Sequence, residues 1–227
     1  MSRSRDAAED GRSRRLNPVA ALAFTVGGAL FAVGAGFSEL VASATQSASI
    51  YFTGGLFFNT GGYASLLETF NAPGHEWRWW SYEPMRKDWL SAFTLLAGTV
   101  VFGVNLLDSF MHGLTVKEAN RLVWAPDLVG CLLFLLSGHL AFTVLRQDTP
   151  GARGLGWWIT AVNQFGSVLF LVSALAAFTR PATGSLVNAH VANWGTLTGA
   201  VCFSVAGVLQ LFTCRSEAPP SSPGPRG

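Results

Sequence analysis

The side chains able to do chemistry in this chain are few, and most of them are amides and imidazoles set in apolar sequence. His139 stands in Leu135-Leu136-Ser137-Gly138-His139-Leu140. A neutral imidazole there would either hydrogen-bond a neighbouring helix or serve as a proton, solute or haem site. Asn163 and Gln164 lie at a similar depth in the next apolar run, and Asn59 lies near the middle of an earlier one. Amides in hydrocarbon look for partners on other helices. These four side chains are therefore expected to meet in one polar cluster in the inner half of a bundle. Asn105, Asp108 and His112 follow at spacings of three and four, which is one helical face. Asp108 and His112 could share a hydrogen bond that raises the histidine pKa, or form a polar stripe wetted from outside.

The spacings of common catalytic and nucleotide sites are missing. There is no Gly-x-x-x-x-Gly-Lys-Ser/Thr loop, no Gly-x-Gly-x-x-Gly after a strand and no His-Glu-x-x-His. Cys131, Cys202 and Cys214 have no metal-ligand spacing and read as small apolar residues. Ser137-Gly138-His139 lacks the Gly-x-Ser-x-Gly context, and the last two apolar runs hold no histidine to act as a base. No cofactor, metal or catalytic residue is expected.

The elements that carry these residues are apolar runs at 18–37, 48–67, 89–111, 125–145, 157–178 and 193–213. Each is about 20 residues or more, and at about 1.5 Å per residue each spans a hydrocarbon core of about 30 Å. Half of the chain is hydrophobic and only 12% is charged, which excludes a disordered chain and a nucleic-acid binder. The fold class is all-α integral membrane, a six-helix transmembrane bundle over 17–213. Residues 1–16 are expected to be a disordered cytoplasmic segment and 214–227 a disordered cytoplasmic tail.

Twelve of the 15 basic residues fall on one side of this scheme: Arg3, Arg5, Arg12, Arg14, Arg15, Arg78, Arg86, Lys87, Arg146, Arg153, Arg215 and Arg226. Lys117, Arg121 and Arg180 fall on the other. The positive-inside rule then places both termini in the cytoplasm. The connection 71–88, rich in Trp, Arg and Lys, suits the anionic inner leaflet. Thr115-Val116-Lys117-Glu118 reads as a capping box opening a short surface helix, Asp88 and Asn193 as N-caps, and Pro126-Asp127 as the first turn of the fourth span.

One pattern, Gly-x-x-x-Phe-x-x-small, occurs in every run: Gly27 with Phe31, Gly54 with Phe58, Gly98 with Phe102, Gly130 with Phe134, Gly166 with Phe170, and Gly199 with Phe203. The third position is Gly34, Gly61, Asn105, Ser137, Ser173 or Ala206. Offsets of four and seven share a helical face, so each span presents an aromatic knob between small residues. Such a face suits close helix packing, and equally a duplicated unit around a central site. Three residues before the glycine, the later runs carry Asp127, Asn163 and Thr196.

Asn163-Gln164-Phe165-Gly166-Ser167-Val168-Leu169-Phe170-Leu171-Val172-Ser173 resembles the core of the YrhK-like membrane domain. The whole chain resembles uncharacterised multi-pass membrane proteins of actinobacteria, most closely over about residues 124–213. The resemblance implies a helical membrane fold in a bacterial inner (plasma) membrane, and it carries no residue role. The residues point to a non-enzymatic integral membrane protein. The alternative is a small transporter or channel for a small solute or protons. The expected partners are the lipid bilayer and a second copy of the chain, and not nucleic acid.

Overall fold

A computed structural model describes residues 2–40, 44–71, 76–111, 113–148 and 154–216. The chain forms helices α1 (Ser2–Leu40), α2 (Ala44–Phe70), α3 (Lys87–Asp108), a short α4 (Val116–Glu118), a π-helical turn Ala119–Trp124, α5 (Ala125–Asp148), α6 (Leu155–Ala176) and α7 (Ala189–Ser216). Among the described residues, five segments are long and apolar enough to cross a membrane: Gly11–Ser38, Lys87–Asp108, Val116–Gln147, Leu155–Ala176 and Ala189–Thr213. Helix α2 has 27 residues, long enough to span, but it carries Thr45, Gln46, Ser47, Ser49, Thr53, Asn59 and Thr60 and is not among those five.

The long helices form a ring. Each packs on its neighbours in sequence, α1 on α2, α2 on α3, α3 on α5, α5 on α6 and α6 on α7, and α7 closes the ring against α1. At the closing seam Gln210 Nε2 donates to Asn17 Oδ1 at 2.8 Å and Ser204 Oγ donates to the Thr25 carbonyl at 2.9 Å. The end of the ring holding the start of α1 and the end of α7 is called the terminal end below, and the other the far end.

Several local expectations are corrected. Helix α1 includes the described part of the segment 1–16, from Ser2 on. The last part of that segment is held because Leu16 is buried against Leu66, Leu67, Phe70 and Trp89. Helix α7 runs on to Ser216, and residues 217–227 lie outside the described residues. Asp88 is not a cap: α3 starts at Lys87 with Arg86 at the N-cap, and Asp88 pairs with the Arg86 guanidinium. Asn193 is not one either: Asn188 Oδ1 accepts from the Val191 N–H at 3.0 Å at the start of α7. The Thr115–Glu118 capping box forms, but its helix does not stop. It passes through the π-helical turn into α5, whose first turn holds Pro126 and Asp127 as expected, so the helical stretch as a whole begins at Val116. Pro126 has no N–H to give to the Leu122 carbonyl, and the wide turn before it shifts the hydrogen-bond ladder past that gap.

The connection between α2 and α3 is tied down by side chains. Asn71 donates to the carbonyls of Leu67 at 3.0 Å and Arg78 at 2.8 Å, and accepts from the Arg78 N–H at 2.8 Å. Trp89 is buried, stacks on Phe93 at 4.8 Å and donates to the Ser81 carbonyl at 3.0 Å. The Ser81 hydroxyl and the Arg86 guanidinium hold the Glu83 carboxyl below the usual carboxylate range. Trp79, Trp80, Tyr82 and Met85 stay exposed at its surface.

Candidate functional site

The centre of the ring is filled by six phenylalanines. Phe31, Phe58, Phe102, Phe134, Phe170 and Phe203 are all buried and belong to one apolar cluster. They come in pairs. A methyl group placed on Gly27 would lie 2.9 Å from the Phe58 ring, and one on Gly54 would lie 2.7 Å from the Phe31 ring. The same reciprocity joins Gly98 to Phe134 at 2.9 Å and Gly130 to Phe102 at 3.2 Å. It joins Gly166 to Phe203 at 3.1 Å and Gly199 to Phe170 at 3.1 Å. The two glycines of each pair face one another, because each such methyl in the first and last pairs would also sit 3.0–3.2 Å from the opposing glycine carbonyl.

Chain direction then sorts the rings into two layers. In α1, α3 and α6 the Phe follows its Gly toward the far end; in α2, α5 and α7 it follows toward the terminal end. Phe31, Phe102 and Phe170 contact one another with centroids 5.4, 6.4 and 6.3 Å apart. Phe203 contacts Phe58 at 5.6 Å and Phe134 at 6.0 Å in the second layer. Edge-to-face and offset pairs of this kind contribute about 0.5–1.5 kcal/mol each beyond area burial. The double layer plugs the axis.

On the terminal side of the plug lies a cavity of about 130 Å³. Phe24, Phe134 and Phe203 form its apolar wall, and Ser91, Ser137, Thr160, Asn163 and Ser167 its polar one. Among the described residues, no charged side chain lines it. Ser91 and Ser137 are both buried and clasp α3 to α5: each hydroxyl donates to the other residue's backbone carbonyl at 2.9 Å. Ser167 donates to the Asn163 carbonyl at 3.0 Å. A space of this size accepts roughly six heavy atoms, about a benzene volume.

The position three residues before the motif glycine explains how the cavity is built. Phe24, Leu95 and Asn163 occupy it in the helices that run away from the terminal end, and all three line the cavity. Tyr51, Asp127 and Thr196 occupy it in the opposite helices, on the far side of the plug. There Tyr51 packs on Gly34, where an added methyl would meet its ring at 3.1 Å. Thr196 Oγ1 and Ser173 Oγ are 2.7 Å apart, and Ser173 donates to the Ala192 carbonyl at 2.6 Å. The Asp127 carboxylate accepts from the buried Cys131 thiol at 3.8 Å.

The polar cluster expected from His139, Asn163, Gln164 and Asn59 does not form. Asn163 is the one member that reaches the cavity. His139 lies on an exposed face of α5, because it is two residues round the helix from the buried Ser137. Gln164 turns into the seam between α6 and α5, where its Nε2 donates to the Leu135 carbonyl at 3.3 Å and its buried Oε1 has no partner. Asn59 turns to the α2–α3 seam, against Gly103 and a groove of about 250 Å³. Its Oδ1 is buried and has no partner among the described residues. Asn105 is buried in α3. Asp108 is the last residue of α3 and is followed by a turn at Ser109 and Phe110; His112 lies outside the described residues. Sequence reasoning missed Ser91, Thr160 and Ser167. A signal for Ser91 existed, since it lies seven residues before Gly98 on the motif face.

No family model, curated protein or solved structure matches this chain.

Proposed function

We propose that this chain is a non-enzymatic, six-span protein of a bacterial inner membrane, with both termini in the cytoplasm and a duplicated Gly–Phe helix pair as its building unit. Its ring holds a small uncharged polar solute in the cytoplasmic half, as a carrier does in a closed state. The observation that carries this reading is the uncharged hydroxyl- and amide-lined cavity, shut from the far half by the double layer of phenylalanines. A permanently open channel does not suit a filled axis. The absence of charge in the lining favours a neutral solute, since an ion would arrive without a compensating group. A purely structural bundle is the second reading, favoured by the completeness of the Phe packing.

The test is solute permeation in proteoliposomes followed by stopped-flow light scattering, with glycerol, acetamide and urea as probes. Wild-type protein is expected to accelerate at least one of them over empty liposomes, and Asn163→Leu to abolish that gain while the protein stays folded. Rates equal to those of empty liposomes for all three would leave the structural reading. Orientation is checked separately: a C-terminal reporter active only in the periplasm would overturn it.

A further inference from the structure

Among the described residues, the far end of the ring carries three Lys and Arg side chains, Lys117, Arg121 and Arg180, and the first two line one pocket. A pocket of about 650 Å³ is lined by Thr115, Val116, Lys117, Asn120, Arg121 and Pro181, the last adjoining Arg180. Lys117 and Arg121 are exposed, and neither has an ion-pair partner among the described residues. The adjacent acid is used elsewhere: Glu118 accepts from the Thr115 N–H at 2.8 Å and the Thr115 hydroxyl at 2.7 Å. Two cations four residues apart repel one another, so their pairing on one wall leaves a charge to be matched.

The pocket has a fixed shape. Asn120 grips Thr179 from both sides, donating to its carbonyl at 2.7 Å and accepting from its N–H at 3.0 Å. Arg180 donates to the Val187 carbonyl at 2.9 Å across the same connection. Trp124, one turn beyond Arg121, donates to the Ala174 carbonyl at 2.8 Å and meets Phe178 edge-on at 4.9 Å. Indole rings favour the membrane–water boundary, which puts the pocket at the level of lipid phosphates. A lysine ammonium and an arginine guanidinium on one concavity match the oxygens of a phosphate group.

We infer that this pocket binds a phosphate-bearing anion through Lys117 and Arg121. This stands independently of the solute cavity. The experiment uses the full chain released gently from membranes. Native mass spectrometry reports retention of phosphatidylglycerol, and a separate titration with inorganic phosphate is followed by thermal stability. Lys117→Gln with Arg121→Gln is expected to weaken the bound species roughly 30-fold, from two charges near a membrane surface. Lys117→Arg with Arg121→Lys keeps both charges and is expected to restore it. A loss confined to the lipid identifies a headgroup as the ligand, and a loss confined to inorganic phosphate identifies a soluble anion. Equal binding of both probes by wild type and the Gln double variant, with both proteins folded, overturns the inference.

Discussion

The six helix–helix seams of the ring are of two kinds, and they use glycine differently. Within the pairs α1–α2, α3–α5 and α6–α7, a glycine on each helix accepts the phenylalanine of the other, so one short pattern supplies both knob and hole. Between the pairs each seam is made differently. At α1–α7 an added methyl on Gly28 would lie 2.7 Å from the Ala200 carbonyl and 2.7 Å from the Ser204 nitrogen, so backbone meets backbone. At α2–α3 the Leu106 side chain fills the space over Gly55. At α5–α6 the Gln164 amide fills the space over Gly138. Membrane helices gain little from apolar burial against one another, so close packing decides their association. The self-complementary seams meet that need identically three times. The amides of Asn59, Gln164 and Gln210 enter at the other three seams, whereas hydroxyl clasps also join α3 to α5 and α6 to α7.

The largest test of the contrast is Phe203→Ala. That ring touches Phe58, Phe134 and Phe170, so its loss should destabilise the protein by about 3–5 kcal/mol in reversible unfolding from mild detergent. A loss below 1 kcal/mol would mean that the plug does not organise the ring. Next come two glycines of the second kind. Gly28→Ala should cost about 1–3 kcal/mol because helix backbones must separate. Gly138→Ala should cost less, about 1 kcal/mol at most, since only the end of Gln164 with its one hydrogen bond to Leu135 has to swing aside. The reverse order would break the distinction between backbone and side-chain contact. Smaller still, Ser91→Ala and Ser137→Ala should each cost about 0.6–1 kcal/mol, and the double variant less than their sum, because they share one clasp.

The smallest effect lies outside the ring. The Glu83 carboxyl titrates lower in the folded chain than when unfolded, so its contribution is present above the ordinary carboxylate pKa. It is lost as pH falls through the lowered folded value. Acid titration should therefore loosen the 76–86 connection, read from the fluorescence of Trp79 and Trp80, and Glu83→Gln should remove that step. A profile unchanged by Glu83→Gln would assign the transition to another group.

How much of this was legible in the sequence follows from what each signal depends on. Helix existence was legible, because long apolar runs with few charges leave no other way to satisfy the backbone in a membrane. The Gly–Phe face was legible for the same local reason: offsets of four and seven share a face on any helix. Helix ends were less so. Asp88 and Asn193 had the right chemistry for caps, but Arg86 and Asn188 hold those positions, because a cap is chosen by where the chain turns as well as by its side chain. The helix opened by Thr115 continued past its expected end because a π turn absorbed Pro126.

The sequence by itself determined the helical elements, the small and aromatic face on each, and the pattern of basic residues between them. Tertiary structure alone decided the partners: which glycine receives which phenylalanine, that α7 closes on α1, and that Lys117 and Arg121 share a pocket with Pro181. It also separated the four polar residues expected to cluster. Their depth along a helix follows from counting at 1.5 Å per residue, but their direction around the axis depends on how the ring is assembled. That rotation sends Asn163 into the cavity, Gln164 and Asn59 into seams, and His139 to the outside.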